Sequence, residues 1–180
     1  MYYAIFFSHL IYGCNVWGLT SEENLDKIEI LQKKCVRILT FADFNSHTNQ
    51  IFIDLGIIKV RDLISMNQLT LVFDFLNGQL PSDLMNLFSL SSDIHSTSLE
   101  LNSALNNLLY IPRVKTSTYG IESLRYHCAK LWNSFFKTGL IKIDGVDYKL
   151  SDIKNSKKLK SVLKRHFLHS YTIEQAVIFF

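Results

Sequence analysis

Between Val60 and Leu76, apolar side chains fall at almost every angle around a helix: Val60, Leu63, Ile64, Leu69, Leu71, Val72, Phe73, Phe75 and Leu76. A helix that is hydrophobic all round must be buried all round, so the rest of the chain has to supply surfaces that wrap it. Asn77-Gly78 then ends it. The wrapping elements are expected to be helices as well, because 7 glycines and 2 prolines in 180 residues leave few positions for the tight turns of an all-β chain. With 48% hydrophobic content the chain can bury one compact domain, or one domain plus an appended helix. The expected fold class is mainly α, a bundle of about six to seven helices with one long Ser/Asn-rich loop.

The other elements follow from local signals. Tyr2 to Trp17 is apolar, lacks a basic lead and contains Ser8, His9, Tyr12 and Asn15, which predicts a buried helix and argues against a signal peptide or a membrane span. No polar cap precedes it, so it reads as a start in the middle of a domain. Thr20 or Ser21 caps a second helix with Glu22, Glu23 and Asp26 in its first turn and an apolar stripe of Leu25, Ile28, Leu31, Cys35, Ile38 and Leu39. A short helix through Ile51, Phe52 and Leu55 stops at Gly56, and Pro81 opens another that runs to about Phe88. Residues 89–107 read as a long surface loop, and Leu108 to Lys115 as extended around Pro112. An aromatic helix from about Glu122 to Phe136, a turn segment at Asp144-Gly145 and a helix from about Ser156 to Ser170 complete the chain. The sequence divides into 1–88, a helical bundle; 89–109, a loop or linker; and 110–180, a basic helical segment.

Charge is placed unevenly. Residues 1–109 hold six Lys/Arg against eleven Asp/Glu, a balance of −5, and residues 110–180 hold thirteen against five, a balance of +8. A basic half beside an acidic one points to an anionic partner for the second half, nucleic acid or a membrane surface, with a plain solvated face as the alternative. Cys14, Cys35 and Cys128 are odd in number and widely spaced, which fits a reducing compartment and not a secreted disulfide framework. An intracellular location, nuclear or cytoplasmic, is expected.

No residue set carries chemistry. Phe41-Ala42-Asp43 is similar to the aromatic-Ala-Asp-Asp turn whose paired carboxylates hold the metals of a polymerase, but Phe44 replaces the second carboxylate. His9, Cys14, Cys35, His127 and Cys128 lack the spacing of a zinc site, and His166 and His169 lie among cations that repel a metal. There is no Gly-rich phosphate loop and no nucleophile elbow, so no catalytic residue, metal, cofactor or small-molecule substrate is assigned. The remaining signal is basic and aromatic. The expected phosphate contacts are Lys33, Lys34 and Arg37, then Arg113 and Lys115, then Lys157, Lys158, Lys160, Lys164 and Arg165. Cations near the end of the second helix also suit its dipole without any ligand. Tyr110, Tyr119, Tyr126 and Trp132 either stack on bases or fill the core, with core favoured for Trp132 and Phe135.

Several strings, in order, resemble the C-terminal region of non-LTR, LINE-type retrotransposon reverse transcriptases, particularly the jockey-like branch. They are Ser8-His9-Leu10-Ile11-Tyr12-Gly13 with Trp17-Gly18, and Leu31-Gln32-Lys33-Lys34-Cys35-Val36-Arg37-Ile38-Leu39-Thr40. His47-Thr48, Asn77-Gly78, Leu80-Pro81, Ile111-Pro112-Arg113, Leu131-Trp132-Asn133-Ser134 and the basic stretch Ser156 to Leu168 follow. The resemblance implies the thumb and post-thumb part of an RNA-directed DNA polymerase, the part that grips template and primer. The fingers, the palm with its paired aspartates and Mg, and any endonuclease would lie outside these residues, making the chain a non-catalytic fragment or truncated copy. Phe135-Phe136 stands where the family has Leu-Pro, and residues around Asp144-Gly145 look inserted. The implied partners are RNA or an RNA–DNA duplex, bound weakly by the chain alone, together with the palm and fingers. Two alternatives stand beside this one: a helical module docking its apolar N-terminal helix on a protein or membrane, and a decayed element copy without function.

Overall fold

The computed structural model describes residues 2–94, 108–116, 120–136, 140–143, 146–149 and 152–178, without the side chains of 140–147 and 173–178. It is mainly helical: α1 Phe7–Ile11, α2 Cys14–Trp17, α3 Glu22–Thr40, α4 Thr48–Asp54, α5 Val60–Leu76, α6 Ser91–Ile94, α7 Leu124–Phe135 and α8 Ser156–Ile178. A π-helical turn, Tyr2–Phe6, precedes α1, and a 3-10 turn, Ser82–Leu84, follows α5. One antiparallel hairpin pairs β1 Leu140–Ile143 with β2 Val146–Lys149, in the register Leu140 to Lys149 and Ile143 to Val146. Two compact units form, one from Met1–Met66 with Ser161–Phe180 and one from Asn67–Lys160.

In the first unit, the hub is a glutamine. Gln32 is fully buried at 0% exposure. Its Nε2 donates to the Tyr2 hydroxyl at 2.8 Å and to the Ile58 carbonyl at 2.9 Å, and its Oε1 accepts from the Val60 N–H at 2.9 Å. One amide thereby joins the opening turn, α3 and the start of α5, and it satisfies groups that burial would otherwise leave unpaired. Burial lifts the Tyr2 phenol to about 12, against the opposing pull of the Gln32 hydrogen bond. The inward face of α3 is rotated from the stripe that the apolar spacing predicts. Leu25, Gln32 and Val36 face inward while Leu31 and Ile38 are exposed. Gly18 lets the turn after α2 approach α5, since a Cβ there would lie 2.7 Å from the Ile64 side chain.

A second tie in this unit is ionic. Arg61 at the start of α5 reaches Glu22 at 2.5 Å, Asp26 at 2.6 Å and Glu29 at 3.1 Å, three carboxylates spaced along one side of α3. Lys33 adds a contact to Glu29 at 2.6 Å. Burial alone would raise the Glu29 carboxyl; the hydrogen bonds and charges of Lys33 and Arg61 outweigh it and hold Glu29 below its usual range. A folded-state pKa below the unfolded one contributes stability above the unfolded pKa, which is lost as pH falls through the folded value. Urea unfolding of the native chain and of Glu29→Gln is therefore expected to differ most near neutral pH, native being the more stable. The two should converge well below pH 4.5, the unperturbed value. Tyr171 of α8 closes the unit: its hydroxyl donates to Asp62 and accepts from the Lys59 N–H at 3.0 Å, with the Lys59 ammonium 4.3 Å from the centre of its ring.

In the second unit, Asn133 of α7 clasps the extended strand. Its Oδ1 accepts from the Leu109 N–H at 2.9 Å and its Nδ2 donates to the Leu109 carbonyl at 2.8 Å. Trp132 is fully buried against Phe136, ring centres 4.2 Å apart. Ser123 caps α7 by accepting from the Tyr126 N–H.

Four expectations are corrected. Tyr2–Trp17 is not one buried helix: Gly13, at φ +61, separates α1 from α2, and Tyr12 and Val16 are 85% and 75% exposed. Pro81 opens only the 3-10 turn. The segment expected only as a turn is flanked by paired strands, β1 before it and β2 after it, with Asp144 and Gly145 themselves outside the described residues. The last helix runs on past Ser170 to Ile178, because Tyr171 is buried and not at a helix end. Most of the expected 89–107 loop lies outside the described residues, apart from α6 and the Leu90–Leu109 bridge.

Candidate nucleic-acid interface

Three helices of this chain end in the same way. After α4, Gly56 donates to the Ile53 carbonyl and Ile57 to Phe52; after α5, Gly78 donates to Phe75 and Gln79 to Asp74. After α3, Phe41 donates to Ile38 and Ala42 to Arg37. This crossed pair of bonds needs a left-handed residue just past the helix, a position at which glycine carries no steric penalty. Gly56 has φ +58 and Gly78 φ +65, while Phe41 holds φ +53 with a full side chain.

That side chain packs on little, being 97% exposed, and Phe44 three residues on is 76% exposed. Between them and the last turns of α3 lies an open groove of about 580 Å³, lined by Lys34, Arg37, Ile38, Phe41, Ala42 and Phe44. Among the described residues no carboxylate lines it. Arg37 is half-buried and uses Nε and Nη2 to donate to the Ser46 carbonyl at 3.1 and 3.0 Å, which ties the loop under the helix end. Lys34 is exposed at the rim. Phe41-Ala42-Asp43 therefore sits in a helix-ending turn, with Asp43 outside the groove lining.

The expected phosphate contacts separate by environment. Lys34, Arg113, Lys115, Lys157, Lys158 and Arg165 are exposed, whereas Arg37, Lys160 and Lys164 are half-buried. Lys33 is engaged by Glu29, and Lys160 acts on Asp74, whose carboxyl is raised by burial against the pull of Lys160 and Ser156. Lys157 and Lys158 lie in the first turn of α8, which contains no acidic residue. Lys158 also donates from Nζ to the Asp152 carbonyl at 2.9 Å, and its N–H is capped by Asn155 at 2.8 Å. Arg125, not among the expected contacts, turns to the Ser89 hydroxyl at 3.1 Å.

Of the aromatics, Trp132 belongs to the core, Phe135 and Tyr126 are half-buried, and Tyr119 lies outside the described residues. Phe41 and Phe44 stand clear of the surface, as Tyr12 does near the start of the chain, and neither phenylalanine is an expected contact from sequence. The one cue in the sequence is that neither Gly nor Asn follows Thr40, so a left-handed stop at that point falls to a residue with a full side chain. Burial pushes the Cys128 thiol to about 12, so it is protonated at neutral pH and a poor nucleophile. Among the described residues no three His, Cys, Asp or Glu side chains gather as a metal site. Comparison with protein-family models, with curated proteins and with solved structures finds no match to this chain.

Proposed function

We propose that the chain is the thumb and post-thumb part of a retrotransposon-type RNA-directed DNA polymerase, contacting the template and primer backbone without sequence specificity and contributing no catalytic residue. The order of family-like strings along the sequence motivates the reading. One structural observation carries its physical side. Lys157 and Lys158 are exposed in the first turn of α8, the end of a helix whose dipole is positive and where cations are unfavourable. The dipole that accounts for cations late in α3 works against these two. Phosphate supplies the compensating partner, and the helix end adds its own positive potential. Mg and the aspartates that hold it would belong to the palm, which with the fingers is the expected protein partner inside the cell.

The test is binding of the purified chain to a blunt RNA–DNA duplex across a salt series. Log affinity is expected to fall linearly with log salt, with a slope of about −3 or steeper, and to be indifferent to sequence. A folded chain whose affinity does not respond to salt, or that binds no duplex at low salt, overturns the reading.

A second reading rests on the apolar surface of Tyr3, Ile5, Tyr12 and Val16, all exposed: a helical module that docks this face on a protein. Among the described residues no helix is long and apolar enough to cross a membrane. Self-association or liposome sedimentation abolished by Tyr12→Ser with Val16→Ser, in a chain that binds no duplex, would favour it.

A further inference from the structure

We infer that the groove at the end of α3 is a stacking site for unpaired bases of a single-stranded RNA or DNA, the rings of Phe41 and Phe44 taking bases while Lys34 and Arg37 take the adjoining phosphates. This deepens the nucleic-acid reading above and rests on it, adding an unpaired strand to the duplex contact proposed there.

Four observations on one short stretch support it. The two rings project from the surface and do not form a floor, with 97% and 76% of their area exposed. Lys34 and Arg37 are three apart on α3, hence on one side of it, and both line the same groove as the rings. Arg37 keeps Nη1 out of its fork on Ser46, so it can tether the loop and still face a phosphate. Among the described residues no carboxylate lines the groove. Cations beside exposed aromatic faces are the combination that holds single strands, because every base offers a π-face and every linkage a charge. The backbone points the same way. Phe41 occupies a left-handed position that Gly56 and Gly78 fill in the two matching turns, so its side chain adds local strain without adding burial. An acidic peptide is the competing occupant; the projecting rings favour flat bases over a packed helix face.

The experiment uses the full chain with single-stranded RNA and DNA oligonucleotides carrying 2-aminopurine, and the blunt RNA–DNA duplex as reference. Stacking is expected to quench the 2-aminopurine emission. Phe41→Gly and Phe44→Ala should each weaken single-strand binding about tenfold and leave duplex affinity within about twofold. Phe41→Gly should also raise Tm by about 2–4 °C, which a ring needed for the fold would not do. Lys34→Gln should weaken single-strand binding and flatten its salt dependence. RNA and DNA arms of equal strength mark the base and phosphate as the whole recognition; a preference for RNA adds the 2′-hydroxyl to the site. Absent quenching, or ring variants that bind single strands as the native chain does, overturns the inference while duplex binding leaves the broader reading standing. Loss of duplex and single-strand binding together in the ring variants makes the rings structural and overturns it. Ring-dependent displacement of the oligonucleotide by poly-glutamate assigns the groove to acidic peptides. A native chain that binds neither nucleic acid removes both readings.

Discussion

Gln32→Ala is expected to destabilise the fold by about 3–5 kcal/mol, a large share of the roughly 5–15 kcal/mol that holds an ordinary domain folded. The side chain is fully buried, and both of its donors and its acceptor are used. Removing it strands the Val60 N–H, the Ile58 carbonyl and the Tyr2 hydroxyl, each a buried polar group that loses its partner, and opens a cavity between them. Gln32→Leu restores most of the volume and none of the bonds, so it should remain destabilised by about 2–3 kcal/mol. Gln32→Glu separates the contributions further. An ionised carboxylate can accept from Val60 but meets the Ile58 carbonyl as a second acceptor, whereas the protonated acid can donate to it. Burial raises such a carboxyl, so this variant should regain stability as pH falls. Urea unfolding followed by circular dichroism measures all three. A Gln32→Ala chain within about 1 kcal/mol of native would show that the hub carries little of the first unit's stability.

The helices themselves were legible because their signals are local. Val60 and Leu76 bound α5 as expected, since an all-round apolar run closed by Asn-Gly leaves little freedom in where a helix stops. Gly56 stopped α4 in the same way. Gln32 was not legible: a polar letter at a helical position reads as solvent-facing, and only the tertiary partners Tyr2, Ile58 and Val60 turn it inward. Its misplacement rotated the expected stripe and put Leu31 and Ile38 in the core, though both are exposed. The strands at 140–143 and 146–149 are hard to read from sequence for a different reason. Asp-Gly between short runs is a hairpin signal, yet the strands are four residues each, too short to show alternation.

At the candidate interface the letters named the cations but not their engagements. Nothing in Lys33-Lys34 says that the first is held by Glu29 and the second faces the groove, because that choice depends on the one-residue rotation around α3. Arg61 gives no signal of its own in the sequence, although its three carboxylates lie on α3 at positions 22, 26 and 29, a spacing that places them on one side of the helix. Phe41-Ala42-Asp43 lacks the second carboxylate of a catalytic turn, while the exposure of its ring follows from a left-handed φ that the letters do not specify.

Lys157→Glu with Lys158→Glu is expected to move stability and binding in opposite directions, and that opposition is what makes it informative. Two carboxylates in the first turn of α8 suit the helix dipole where two ammonium groups oppose it, a gain of about 1 kcal/mol, or a rise of about 2–4 °C in Tm. The Lys158 bond to the Asp152 carbonyl is exposed, so its loss subtracts little from that gain. Affinity for the RNA–DNA duplex should fall about 100-fold at low salt: two phosphate contacts disappear and two repulsions replace them, and the slope of log affinity against log salt should shrink by about 2. Lys157→Gln with Lys158→Gln should fall between the two, which checks that charge and not side-chain length is being read. A more stable protein that binds the duplex as before would mean that the two lysines are a solvated face, placed against the dipole without a ligand to compensate them. A more stable protein that has lost the duplex would mean that stability at this helix end has been given up for an anionic partner, the trade-off expected when a site is selected for binding and not for folding.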